Sequence, residues 1–306
     1  MREFTLTKTA AAAAVIVGLT AMETQAAVIT PSSVVVDPPP DTTDPSDPFT
    51  DDVLLESLTF DDDTVDGTRY DASKGSFSVA RDFRVLEGRS QINAEWGDTD
   101  TDADDDPDPF TKAGFADSDQ ETTDPVEQDA ALLNAFNSRS LSEITDGEGG
   151  GSLQFEVLFE NSLAFDDVGG DSLPDIVLFE RGNNDEYVIE LITGGSIDAP
   201  ALSAGVTVND GDLGSAGFSI DTLEIGGPQE MSVGGFDLAD FGLMSGDTAF
   251  GFRLTTTDGP DLGGFFLAAE DPADFGPPLT AEAPLPASAL LLLAGLGGLA
   301  ALRRRA

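Results

Sequence analysis

Along most of this chain the apolar residues recur at every second position, the spacing of a strand with one face buried. In GSFSVARDFRV, Phe77, Val79, Phe83 and Val85 fall on one face, interrupted by Arg81. In SLQFEVLFEN, Leu153, Phe155, Val157 and Phe159 oppose Gln154, Glu156 and Glu160. Both stretches predict half-buried strands. IVLFERGNNDEYVIELI holds two β-rich runs, Ile176 to Arg181 and Tyr187 to Ile192, and the Gly-Asn-Asn-Asp between them predicts a short hairpin. AFGFRLTTT places Phe250, Phe252 and Leu254 on one side, while VLLESLTF, GFSIDTLEI and GGFFLAA supply further strands. Short strands divided by Gly, Asp and Asn turns predict an all-β fold, an antiparallel β-sandwich of jelly-roll-like type.

One stretch has a helical period. In DPVEQDAALLNAFNS, Asp124 caps, Pro125 suits the first turn, Glu127 completes a capping box, and Leu132, Leu133 and Phe136 form an apolar stripe. This short helix is expected inside an acidic insertion, residues 97–151, of a sandwich domain spanning 53–270. Residues 28–52, including VVVDPPPDTTDPSDPFTDD, combine proline with aspartate and read as an extended linker, as do residues 271–286 at the other end.

The termini carry a different pattern. Arg2 and Lys8 precede an apolar run from Ala10 to Met22, and Thr24 and Ala26 are small residues flanking a cut, so residues 1–27 read as a cleaved secretory signal peptide. The run is shorter than the ~20 residues that span a bilayer. Near the C-terminus, Ala287 to Leu302 is apolar apart from Ser288. As a helix it would extend roughly 24 Å, close to the ~30 Å hydrocarbon core. Arg303, Arg304 and Arg305 then act as a stop-transfer cluster that leaves the body on the far side of the membrane.

The order Pro284, Leu285, Pro286, Ala287, leucine-rich helix, arginine cluster resembles the VPLPA-CTERM signal, a variant of the PEP-CTERM sorting signals of Gram-negative bacteria. Ala283 stands where that family usually has valine, and Ala306 follows the arginines. The resemblance covers the tail, residues 283–306, and implies an exported protein that is held briefly in the inner membrane. A sorting protease of exosortase type would cut at the proline motif and discard residues 287–306, the transmembrane helix and arginine tail. The mature protein would then reach the cell surface or the exopolysaccharide matrix. An ordinary tail anchor has the same physical features except that nothing cuts it.

Charge narrows the choice of partners. With 58 acidic and 14 basic residues the formal charge is -44, which disfavours nucleic acid and anionic membrane surfaces and favours cations. Such self-repulsion calls for screening salt or bound divalent ions. Histidine and cysteine are absent, which removes Ser-His-Asp and Cys-His machinery, Cys/His zinc sites and disulfides.

The densest ligand pattern is GDTDTDADDDPDPF, where Asp98, Asp100, Asp102, Asp104, Asp106 and Asp108 alternate. Carboxylate oxygens at this density suit Ca²⁺, although Ala103 and Pro109 occupy the glycine and glutamate positions of an EF-hand loop, so it is not one. Asp166, Asp167, Asp171 and Asp175 in FDDVGGDSLPD form a second candidate, against which stands the readiness of aspartate to form turns. Paired carboxylates also serve glycoside hydrolysis. Among 58 acidic residues, however, a pair carries no information, and only Trp96, Tyr70 and Tyr187 are available to stack on a sugar. The expectation is therefore a non-enzymatic surface or matrix protein, with Ca²⁺ as a candidate ligand and surface exopolysaccharide as a candidate partner. A secreted carbohydrate-active hydrolase and a permanently anchored adhesin are the alternatives.

Overall fold

The computed structural model describes residues 24–25, 27–37, 53–61, 67–96, 125–137, 139–147, 151–165, 173–220 and 228–279. Two antiparallel sheets pack as a sandwich, and a third, small sheet covers one of them. In the first sheet β12 (Ala199–Val208), β11 (Tyr187–Ser196), β15 (Thr248–Thr256) and β9 (Leu153–Ala164) lie side by side, and β9 also pairs with β6 (Ala80–Glu87) and β17 (Phe275–Gly276). The two residues of β1 (Thr24–Gln25) run parallel to β12 at the edge. In the second sheet the order is β13 (Gly214–Ile220), β14 (Gln229–Phe236), β10 (Ile176–Arg181), β16 (Leu262–Ala268), β8 (Glu143–Gly147), β7 (Ile92–Trp96), with β5 (Phe77–Ser78) beside β16. The small sheet is β2 (Ser33–Asp37), β3 (Leu54–Phe60) and β4 (Thr68–Asp71).

Strand composition follows from how many faces each sheet buries. The first sheet has one apolar face: Phe155, Val157, Ile189, Leu191, Phe252 and Leu254 point into the main core, and polar residues alternate with them. The second sheet lies between the main core and the small sheet, so β10, β14 from Met231 onward, and β16 are buried along both faces. Their runs IVLF and GGFFLA accordingly lack a polar alternate. Ile176, Leu178 and Phe265 face the main core, whereas Val177, Phe179 and Phe266 face the small sheet with Leu55, Leu58, Phe60 and Tyr70. Phe252 and Phe265 stack across the sandwich with ring centroids 3.8 Å apart.

The single α-helix among the described residues, α1 (Pro125–Asn137), closes the sandwich between β6, β7, β8 and β16. Leu132 and Phe136 enter the core and Leu133 packs beside them, as the apolar stripe predicts. Phe136 meets Phe83, Phe155 and Phe252. The capping residue Asp124 and the Glu127 side chain lie outside what is described. Besides this helix, the acidic insertion contributes β8, with Ile144 fully buried.

Several expectations change. β10 and β11 form no hairpin: β10 pairs with β14 and β16, and β11 pairs with β12 and β15, so Gly182–Glu186 arches from one sheet to the other. A strand buried on both faces and a strand buried on one belong to different layers. The single strand expected from Phe77 to Val85 likewise divides at Val79. Ser78 pairs with Leu267 in the second sheet while its Oγ accepts the Asn161 N–H of β9 at 3.0 Å, and from Ala80 the chain belongs to the first sheet. Phe77 and Val79 therefore pack toward the small sheet, and Phe83 and Val85 toward the main core. Phe250 leaves the face of Phe252 because the register with β9 shifts between Ala249 and Gly251.

Both ends of the body extend past residues 53–270. Val28 packs on the main core, Ile29 exchanges backbone hydrogen bonds with Gly235 at 2.9 and 2.7 Å, and β2 pairs with β3. Phe275 packs against the main core and Leu279 is 9% exposed.

Candidate functional site

Two charged constellations emerge from the fold. The first lies at the arch between β10 and β11. Glu180 is 1% exposed, and Tyr187, at the start of β11, donates its hydroxyl to Glu180 Oε2 at 2.8 Å. Glu180 Oε1 is buried with no hydrogen-bond partner. Burial drives the Glu180 carboxyl up to about 8 against the Tyr187 hydrogen bond, and Asp185 and Asp261 nearby add to the rise. Burial, then the charges of Asp261 and Asp258, raise Asp185 to about 6. Next in sequence, Arg181 is also 1% exposed, and its Nε and Nη2 donate to Asp261 Oδ2 at 3.2 and 2.9 Å, with Asp146 Oδ1 at 3.8 Å. This pairing neutralises a cation that would be costly to bury alone.

The second constellation crosses the outer face of the first sheet. The register puts Arg84 opposite Glu156, Glu156 opposite Arg253, and Arg253 opposite Glu190, so four strands carry a row of alternating charge. Arg84 Nη2 donates to Glu156 Oε2 at 2.5 Å and to the Ile197 carbonyl at 2.8 Å, while Arg253 Nε donates to Glu156 Oε1 at 3.0 Å. Glu156 is 4% exposed beneath the two guanidinium groups. Burial raises the Glu190 carboxyl, and Arg253 opposes the rise. Beside this row runs a groove lined by Leu158, Ile192, Ile197, Pro200 and Leu279, the last packed against Leu158 and Ile192. Arg81 Nη2 donates to the Leu279 carbonyl.

Of the sequence-predicted site residues only Asp175 is described. Its Oδ2 accepts the Leu238 N–H at 3.0 Å, its N–H donates to Phe236 O, and its carbonyl accepts the Ala268 N–H, so it joins β14, β16 and the turn after β14. Asp98, Asp100, Asp102, Asp104, Asp106, Asp108, Asp166, Asp167 and Asp171 lie outside the described residues, as do Pro284 to Ala287 and Arg303 to Arg305. Among the described residues no group of acidic side chains is placed to hold a metal ion, and no helix is long and apolar enough to cross a membrane. The row on the first sheet was missed from sequence because its members lie on strands far apart in the chain, whereas Glu180 and Tyr187 stand only seven residues apart but belong to different sheets. The visible signal was local: Arg84, Glu156, Glu190 and Arg253 each fall on the polar parity of an alternating strand. No protein-family model, no curated protein and no solved structure matches this chain.

Proposed function

We propose that this chain is an exported, non-enzymatic cell-surface or matrix protein, delivered by its N-terminal signal, held in the inner membrane by Ala287 to Leu302, and released by a sorting protease of exosortase type at Pro284 to Ala287. The observation that carries the reading is the order of proline motif, apolar helix and arginine cluster within the last residues of the chain. In support, Leu279 still packs on the body five positions before the motif at Pro284. The body is a jelly-roll-like sandwich in this reading, because the chain crosses between the two large sheets at nine of the twelve connections from β5 to β17. Its acidic surface suits a hydrated matrix, where Ca²⁺ bound by Asp98, Asp100, Asp102 and Asp104 of the insertion, and by Asp171 with Asp175, bridges anionic exopolysaccharide.

The test is the mass of the intact protein and of its C-terminal peptide, recovered separately from membrane, cell-surface and medium fractions. A surface or medium form ending near Pro286, without Arg303 to Arg305, is expected. An arginine tail retained in every fraction would mean a permanent anchor and overturn the reading.

A further inference from the structure

Glu180 and Tyr187 close the base of the arch between the two large sheets. Glu180 is the last residue but one of β10 and Tyr187 the first of β11, so the 2.8 Å hydrogen bond between them ties one sheet to the other. The span above that bond, Gly182 to Glu186, carries no apolar side chain and is half-buried or exposed throughout. Polar ties hold it. The Gly182 N–H donates to Glu230 O at 3.0 Å and Asn183 Nδ2 to Leu213 O at 2.9 Å, while the N–H groups of Gly211 and Leu213 donate to Asn183 O and Oδ1 at 3.1 and 3.2 Å. The Glu186 N–H donates to Asp258 Oδ2 at 3.3 Å. A segment held this way, with no buried apolar anchor of its own, opens at lower cost than the strands it joins.

Beneath the arch lies a carboxyl without a cation. Glu180 is 1% exposed, its Oε1 has no partner, and among the described residues no arginine or lysine pairs with it, since Arg181 is held by Asp261 and Asp146. The Asp185 N–H faces Glu180 from the arch itself. The other titratable groups around the pair are Asp185 and Glu186 of the arch, Asp258 and Asp261 before β16, Asp146 of β8, Glu230 of β14, and Asp210 and Asp212 after β12. All are acidic, so an ionised Glu180 finds only the Tyr187 hydroxyl and the Asp185 N–H to solvate it and otherwise needs water. The arch is the polar cover that must lift to admit it.

We infer that Gly182 to Glu186 is a proton-operated joint between the two sheets, shut while Glu180 carries its proton and opened when the Glu180 carboxylate is hydrated. The sign follows from burial. Glu180 titrates near its ordinary 4.5 when hydrated and at about 8 beneath the closed arch, whereas Asp185 rises only to about 6. Below pH 4.5 Glu180 holds its proton in both states and gives opening no help. Between pH 6 and 8 Glu180 alone of the two still distinguishes them, so the open fraction grows tenfold per pH unit, roughly a hundredfold in all, and levels off above 8.

The test is hydrogen exchange of the purified full chain in detergent from pH 6 to about 9, corrected for the intrinsic rise of exchange with pH, with and without urea below the unfolding transition. The reporters are the amides of Gly182, Gly211 and Leu213, and the references are those of Leu55 and Leu141, whose bonds to Arg139 O and Val53 O lie away from the arch. The arch amides should exchange faster than the references, gain tenfold per pH unit up to pH 8, and ignore urea, the mark of local opening. Glu180→Gln should flatten that rise. Tyr187→Phe removes a donor that lowers the Glu180 pKa and should carry the rise beyond pH 8. Arch amides that exchange at the rate of Leu55 and Leu141, with the same urea dependence, would overturn the joint and leave Glu180 as a term in global stability alone. A slope that survives in Glu180→Gln would overturn it too. Should Glu180→Gln not fold, a plateau left at pH 8 in Tyr187→Phe decides against it independently.

Discussion

A carboxyl group facing the core between two sheets must stay protonated or find a cation, and Glu180 has the Tyr187 hydroxyl on one oxygen and nothing on the other. Its pKa rises from the ordinary 4.5 to about 8, so below pH 4.5 the folded and unfolded chains are protonated alike and folding carries no penalty. As pH climbs from 4.5 to 8 the unfolded chain releases this proton while the folded one retains it, and stability falls throughout that window. Three to four pKa units correspond to roughly 5 kcal/mol at most, delivered in full only above pH 8. Glu180→Gln keeps an oxygen for Tyr187 and removes the titration. Its melting temperature should match wild type near pH 4.5 and exceed it by several degrees at pH 8.5 in a thermal-unfolding series. A constant difference across that range would assign the effect to packing. Arg181 makes the opposite bargain, since it cannot discharge and is held by Asp261 and Asp146; Arg181→Ala should cost roughly 3–5 kcal/mol, read from denaturant unfolding, because those carboxylates remain without their cation.

At the scale of the element, α1 shows how a short helix becomes stable through its anchor. Thirteen residues are marginal as an isolated helix. Phe136, fully buried against Phe83, Phe155 and Phe252, supplies the missing energy, and Gln128 donates to the carbonyls of Arg89 and Ile92 at 2.7 and 2.8 Å. Phe136→Ala should cost about 3–5 kcal/mol and release protection from hydrogen exchange along the whole helix. The helix was legible because its cap, stripe and length agree locally. The arch between β10 and β11 was not, because Gly-Asn-Asn-Asp suits a hairpin turn and an inter-sheet crossing equally well. Only the partners of each strand, supplied by β14, β15 and β16, separate the two.

For the molecule as a whole, charge dominates. A formal charge of -44 opposes compaction, and screening relieves it at any ionic strength above a few tens of millimolar, since the Debye length at 0.1 M is about 10 Å. Sodium chloride should therefore raise the melting temperature by itself. Specific calcium binding predicts a further rise in millimolar Ca²⁺ that NaCl of matched ionic strength does not reproduce, and that Asp98→Asn with Asp102→Asn diminishes. Equal shifts in both salts would reduce the aspartate clusters to generic screening.

The alternation of Leu153 to Phe159, the stripe of α1 and the glycine-aspartate turns together determined strands, one helix and a sandwich, because each signal resides in a few consecutive residues and reflects which face is buried. The same locality carries the reading proposed above for the two termini. Which strand joins which sheet, the second buried face of β10 and β16, the row of Arg84, Glu156, Arg253 and Glu190, and the buried Glu180 beside Tyr187 were decided only in three dimensions. They depend on pairings between segments up to about a hundred residues apart, as in Arg253 with Glu156, and nothing in either segment alone specifies its partner.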